Sequence, residues 1–158
     1  LQRLADANIQ VIWQTGKHYA IQAAKATIDY HEKGIITMPF IKEMDIAYAA
    51  ADIVVSRAGA IAISELCITG KPAILVPSPN VAEDHQTKNA LALSTHGAAI
   101  LVKDSEAPAS LISTIKTLTT NSSEQKNLSS NISLMAKHNS AVLIAEQVFE
   151  LALKTKNN

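Results

Sequence analysis

The sequence predicts an α/β fold, a parallel sheet with helices on both faces. Three observations predict it. Between residues 9 and 102, apolar runs of strand length alternate with helix-length periodic segments. The runs DIVVS (Asp52–Ser56) and AILV (Ala73–Val76) are continuously apolar, as in strands buried on both faces. Strands give way to helices at Gly16, Pro39, Gly59 and Pro77, residues that break one regular element before the next begins. Strands alternating with helices imply βαβ crossovers, and those make the strands parallel.

Taken in order, LQRLADANIQVIW reads as a helix tail running straight into a strand at Ile9–Gln14. A helix tail needs chain before it, so the sequence is expected to be a piece of a longer protein. Tyr19–His31 carries Ala and Ile at helical spacing and stops at Lys33-Gly34. Ile35–Met38 is a short strand, Met44–Ala51 a short Ala-rich helix, and Asp52–Ser56 a strand. Ala60–Thr69 is a helix closed by Gly70, and Ala73–Val76 a strand ended by Pro77-Ser78-Pro79-Asn80. Asp84–Thr95 is a helix with Gly97 after it, and Ala99–Val102 the last strand. Pro108–Leu118, Glu124–Lys137 and Ser140–Lys154 are helices that follow no strand; they pack on the sheet or reach toward a neighbour. The polar patch Thr119–Ser123 is expected as a loop.

A chain of 158 residues suffices for one domain with a core. Apolar residues at 47% and charged residues at 18% exclude disorder. Aromatics are only 4%, so Ala, Ile, Leu and Val must build the core. Fourteen basic residues balance fourteen acidic ones, and no basic run stands among aromatics, which argues against nucleic acid as a partner. No apolar run approaches the roughly 18–20 residues of a membrane span, and no signal peptide is visible. Cys67 is the single cysteine. Without a disulfide framework or a CxxC pair, a reducing cytoplasm is expected.

In such sheets ligands sit beyond the carboxyl ends of the strands. Three loops qualify: Pro39–Met44, Arg57–Ala60 and Pro77–Gln86. In SRAGAIAISEL (Ser56–Leu66) a buried strand turns through Arg57-Ala58-Gly59 into a helix. Its first N–H groups are unpaired and lie at the positive end of the helix dipole, a place for a diphosphate. Glu65, one turn further on, suits a ribose diol. Gly59 reads equally well as a turn glycine, and Glu65 as a solvated helix residue. In PSPNVAEDHQTKNA (Pro77–Ala90), Asp84 suits a helix N-cap. His85 and Gln86 suit sugar hydroxyls, or simply solvate the helix start. In MPFIKEM (Met38–Met44), Phe40 and Ile41 offer an apolar face for a flat base, with the Ile41 backbone pairing to the base edge, or else pack into the core. His18, His31, His96 and His138 are scattered with no partner at metal-ligand spacing. Cys67 reads as a core filler. The dinucleotide, P-loop and esterase signatures are all absent.

VIWQTGKHY (Val11–Tyr19), PFIKEM (Pro39–Met44), ADIVVSRAGAIAISEL (Ala51–Leu66), GKPAILVPSPN (Gly70–Asn80) and EDHQTKNA (Glu83–Ala90) occur in one order over most of the chain. Together they resemble the C-terminal domain of the MurG family of glycosyltransferases. That family moves N-acetylglucosamine from its UDP sugar to the lipid-linked muramyl pentapeptide, turning lipid I into lipid II in peptidoglycan synthesis. The resemblance implies a GT-B fold, two Rossmann-like domains with the donor between them, of which this chain is the second, donor-binding half. It implies that Ile41 contacts uracil. It implies that Ala60, Ile61, Ala62, Ile63 and Ser64 offer backbone N–H groups to the phosphates and ribose, that Glu65 holds the ribose hydroxyls, and that Gln86 with His85 reads the N-acetylglucosamine. It implies an inverting transfer with no catalytic metal or other cofactor, on the cytoplasmic face of the bacterial plasma membrane.

The sequence departs from the family pattern in what it does not contain and at one position. The glycine-rich GGSxGA loop is expected just before Leu1 and is not in the sequence. Neither is the N-terminal domain with the acceptor site, the base and the membrane-facing patch. Ala62 also stands where many relatives carry Thr. The chain alone is therefore expected to fold and bind donor without transferring sugar. The rival readings are a separate subunit of a split transferase, a nucleotide-sugar-binding module that does no chemistry, and a UDP-N-acetylglucosamine epimerase. Epimerases of that kind use carboxylates and histidines from two domains, an arrangement that Glu65, His85 and Gln86 do not resemble.

Overall fold

A computed structural model describes residues 1–156. The elements run α1 (Gln2–Ala5), β1 (Val11–Gln14), α2 (Gly16–Thr27), β2 (Ile35–Met38), α3 (Met44–Ala50), β3 (Val54–Ser56), α4 (Ala60–Thr69), β4 (Ala73–Leu75), α5 (His85–Ser94), β5 (Ile100–Leu101), α6 (Ala107–Thr120), α7 (Ser122–Leu134) and α8 (Ser140–Lys156). Short 3₁₀ turns occupy Ile28–Lys33 and Ala82–Asp84.

Every strand pairing is parallel, as expected, but the strands form two sheets rather than one. β1 pairs with β2, Val11 opposite Ile35, and β3-β4-β5 form a three-stranded sheet in that order. This corrects the reading of DIVVS as a strand buried on both faces. Only Val54–Ser56 is paired, and Val55 is 42% exposed. The cause is position. β3 has a neighbour on one side only, whereas β4 lies between β3 and β5 and all three of its residues are buried.

Side-chain alternation sorts the core. Ala73 and Leu75 of β4 point to a cluster with Ala58, Leu66, Cys67, Leu93 and Ile132, while Ile74 and Val76 point to one with Val102, Leu118 and Leu128. Two helices join the sheets across these faces. Ile115 of α6 packs both on the second cluster and on Leu4, Ala5 and Ile35 beside the first sheet. α3 leaves β2 and plants Tyr48 in the first cluster.

Some local expectations also change. The helix expected over Tyr19–His31 starts earlier, at Gly16, and tightens to 3₁₀ after Thr27. The Thr27 hydroxyl there donates back to the Ala23 carbonyl at 2.9 Å, a bond that competes with regular helix geometry. Gly34 stops the turn at φ 79°, a left-handed conformation that glycine adopts freely. The polar patch Thr119–Ser123 is no loop, because a single residue, Asn121, separates α6 from α7. Its side chain accepts the Glu124 N–H at 3.0 Å, and the Gln125 side chain donates to the Leu118 carbonyl at 2.7 Å. The patch thus caps two helix ends. Of the last helices, α6 and α7 pack on the sheet, whereas residues 140–154 of α8 are exposed. No helix among the described residues is long and apolar enough to cross a membrane.

Candidate functional site

The site is built where β3 hands over to α4. Gly59 is the N-cap of α4, with φ −70° and ψ 147°. Any residue adopts that conformation, so the turn does not require a glycine. A Cβ at Gly59 would meet no atom within 4 Å. The fold does not ask for glycine here, and its absence of a side chain leaves open space at a helix start. Beyond it, the N–H groups of Ala60, Ile61 and Ala62 have no helical partner. The N–H of Ile63 is donated to the Gly59 carbonyl at 3.0 Å, and Ser64 follows it into the helix with its hydroxyl bonded to the Ala60 carbonyl at 2.9 Å. Five residues were expected to offer backbone N–H groups. The first three do, and helix geometry consumes those of Ile63 and Ser64. Ile61 is 78% exposed at this open end.

Side chains from distant elements hold the turn in place. Asn89 on α5 donates from Nδ2 to the Ala58 carbonyl at 3.1 Å. Arg57 donates to the carbonyls of Val76 (3.2 Å) and Pro77 (3.4 Å), and pairs with Asp104 beyond β5. One guanidinium therefore ties together the carboxyl ends of β3, β4 and β5. In the β4–α5 loop, Gln86 accepts the Ser78 N–H at 2.9 Å through Oε1, which leaves its amide NH₂ as a donor. His85 lies 2.6 Å from the Ala82 carbonyl through Nδ1. A carbonyl only accepts, so Nδ1 is the donor in this contact. Asp84 is the N-cap of α5 as expected, but its side chain makes no capping bond. Glu83 and Asp84 both sit at φ 52°, consecutive left-handed residues of a kind that cost strain away from glycine.

The Pro39–Glu43 loop leads into α3. The Ile41 N–H, expected to pair with a base edge, is already donated to Gln14 Oε1 at 2.8 Å. The Ile41 side chain and carbonyl remain, and Phe40 is exposed beside it. Further along α3, the Tyr48 hydroxyl donates to Glu65 Oε2 at 3.0 Å. Glu65 is thus not a freely solvated helix residue. Burial, then the hydrogen bond and the negative charge of Glu65, push the Tyr48 phenol up to about 12. Burial also raises the Cys67 thiol. With the side chain in the core, that fits a filler rather than a nucleophile.

The structure thus links the start of α4, through Ala58, to α5, whose first residues are His85 and Gln86, and links Glu65 to α3, which follows the Ile41 loop. The residues that do the joining, Gln14, Tyr48, Arg57, Asn89 and Asp104, were not among the expected site residues. Arg57 and Asn89 lie inside the motifs, but their partners are far along the chain. Cavities lie elsewhere: one of about 250 Å³ against α6 and α7, and one of about 520 Å³ beside Asp52, Gly70 and α7 at the opposite strand ends. Among the described residues, no three His, Cys, Asp or Glu side chains converge as a metal site would require.

Residues 1–148 match the glycosyltransferase family 28 C-terminal domain. The chain is 51% identical over 148 residues to the UDP-N-acetylglucosamine–N-acetylmuramyl-(pentapeptide) pyrophosphoryl-undecaprenol N-acetylglucosamine transferase of Porphyromonas gingivalis, covering 94% of this chain and 39% of that protein. It is 52% identical over 153 residues to the transferase of the same name from Bacteroides fragilis, covering 96% of this chain and 40% of the relative. The chain therefore spans about two fifths of the length of these relatives. The crystal structure of Acinetobacter baumannii MurG superposes with a TM-score of 0.79 at 26% identity, over 94% of this chain and 44% of that one. An α/β fold with parallel strands, a helix start left open at the strand ends and this match over most of the chain agree: the chain belongs to the glycosyltransferase family 28 C-terminal domains.

Proposed function

We propose that this chain is a single domain forming the donor half of an inverting N-acetylglucosaminyltransferase, and that it holds UDP-N-acetylglucosamine along the carboxyl ends of its strands. The observation that carries the reading is the start of α4. Three unpaired N–H groups stand behind a glycine that the fold itself does not need. A diphosphate there takes hydrogen bonds from Ala60, Ile61 and Ala62 and sits at the positive end of the helix dipole. The same groups stabilise the charge that builds on UDP as the glycosidic bond breaks, which is where catalysis by such a domain resides. Ile41 lies against the uracil with its side chain and carbonyl. Glu65 accepts hydrogen bonds from the ribose hydroxyls. Gln86 donates from its amide NH₂ to a sugar oxygen, and His85 accepts a sugar hydroxyl at Nε2.

In this reading the acceptor, the lipid-linked muramyl pentapeptide, binds the part of the protein that this chain does not span. That part also supplies the base and the contact with the inner face of the plasma membrane. An inverting displacement needs an acceptor hydroxyl held in line and a group to take its proton. His85 is committed through Nδ1 to Ala82 and is assigned to binding.

The test is a titration of the isotope-labelled chain with UDP and with UDP-N-acetylglucosamine, followed by amide NMR. The amides of Ala60, Ile61 and Ala62 should shift with both ligands, and those of His85 and Gln86 more strongly with the sugar nucleotide. Shifts confined to α6 and α7, beside the cavity there, would refute the assignment.

A further inference from the structure

We infer that Tyr48 is a positioning residue of the donor site: its hydroxyl holds one oxygen of Glu65 so that the other is presented, already oriented, to the ribose. The inference rests on the ribose reading of Glu65 and extends it to a residue outside all three loops.

Glu65 ends a side chain with three rotatable bonds on a helix surface, and a free carboxylate of that kind must be ordered when it binds a diol. Here it is ordered beforehand. Oε2 accepts the Tyr48 hydroxyl at 3.0 Å, while Oε1 takes part in no hydrogen bond of the described chain and remains for a ligand. The partner is a rigid anchor. A tyrosine has two side-chain torsions, and this one is 9% exposed, packed in the cluster that contains Ala58 and Leu66. Ala58 immediately precedes the α4 N-cap, at the helix start on which the phosphates are proposed to sit, and Leu66 follows Glu65 on the same helix. Tyr48 also stands on the helix that follows the Ile41 loop. One hydrogen bond thus ties the base side of the site to its ribose side. A buried phenol needs some acceptor. A backbone carbonyl would serve a purely structural need, but a carboxylate one turn into α4 adds negative charge near a proposed anion site, which a structural role does not explain.

The experiment uses the 158-residue chain with Tyr48→Phe, Glu65→Ala and the double substitution, titrated by NMR with UDP and with 2′,3′-dideoxy-UDP. Phenylalanine keeps the ring and its core contacts, so the amide spectrum away from α3 and α4 should be retained. Tyr48→Phe should weaken UDP by about three- to tenfold, the range for one hydrogen bond to a charged group acting indirectly. It should leave dideoxy-UDP unchanged, and in the Glu65→Ala background it should cause no further loss. If Glu65→Ala weakens UDP selectively while Tyr48→Phe does not, the positioning role is overturned and the ribose reading stands. If Tyr48→Phe weakens both nucleotides equally, the bond is structural only, and the inference fails. If Glu65→Ala leaves the ratio of the two affinities unchanged, the ribose reading itself fails and takes this inference with it.

Discussion

Gly59→Ala separates folding from binding at the site more sharply than any other single change. The added methyl has room, because no atom lies within 4 Å of its position, and φ −70° with ψ 147° suits alanine without strain. Alanine restricts the unfolded chain, which stabilises by about 0.4–1 kcal/mol. Against this, alanine is a poorer N-cap than glycine by roughly 0.5–1 kcal/mol. The two effects nearly cancel, leaving a net change of about 0.5 kcal/mol or less in either direction. For a domain of this size that is a shift in Tm of about 2 °C or less. Binding should respond differently, because the methyl stands in the space through which a diphosphate reaches the N–H groups of Ala60, Ile61 and Ala62. Losing two such charge-assisted bonds costs about 3 kcal/mol or more, a hundredfold or greater loss of UDP affinity. The assays are thermal unfolding followed by far-ultraviolet circular dichroism and UDP titration by NMR. An alanine variant that keeps its UDP affinity would show that the phosphates do not sit at the start of α4. A variant that unfolds many degrees lower would show that the turn needs glycine after all.

Alkaline pH should destabilise the chain through Tyr48. The unfolded phenol releases its proton near 10 and the folded one near 12, so stability is intact below pH 10 and falls as pH rises from 10 to 12; urea midpoints at pH 9, 10 and 11 should decline less in Tyr48→Phe than in the parent chain. Gly70→Ala should cost about 1–3 kcal/mol, because φ is +63° and a Cβ would lie 2.5 Å from the Ser133 hydroxyl oxygen on α7; an unchanged urea midpoint would mean that the α4–α7 contact yields freely. The chain by itself should form no lipid-linked disaccharide from UDP-N-acetylglucosamine and acceptor, a result checked with labelled donor. Product that disappears in His85→Ala would reassign His85 from sugar binding to proton transfer.

The order of strands and helices was legible because hydrophobic period and turn residues are local signals. Ile35–Met38 and Ala60–Thr69 fall at the residues expected, each bounded by glycine, proline or both. The exposure of β3 was not legible. Val54 and Val55 look alike in sequence, and whether Val55 is covered depends on which strands flank β3, a long-range fact. The Thr119–Ser123 patch misled for a related reason. Serine, threonine and asparagine are abundant both in loops and at helix ends, and only the bond from the Glu124 N–H to the Asn121 side chain distinguishes the two.

The site divides along the same physical line. A helix start that binds through its backbone is written in one contiguous stretch: strand, glycine, small residues, helix. SRAGA could be proposed as an anion cradle for that reason, and the limit on it, that only three N–H groups stay open, follows from helix geometry. The groups that hold the cradle in place come from elsewhere. Tyr48 reaches Glu65 across 17 positions, Gln14 reaches Ile41 across 27, Asn89 reaches Ala58 across 31, and Asp104 meets Arg57 across 47. No spacing rule connects such pairs, because their separations are set by the lengths of intervening helices and strands. These side chains have no ligand group to contact, so nothing in their chemistry announces a role. Under the proposed function, their effect is to remove freedom from loops that would otherwise have to be ordered on donor binding. Substitutions at Arg57 or Asn89 should therefore act on donor affinity without touching donor. In the proposed site, the groups assigned to the ligand lie in contiguous stretches open to sequence reading, and the groups that keep them still are visible only in the structure.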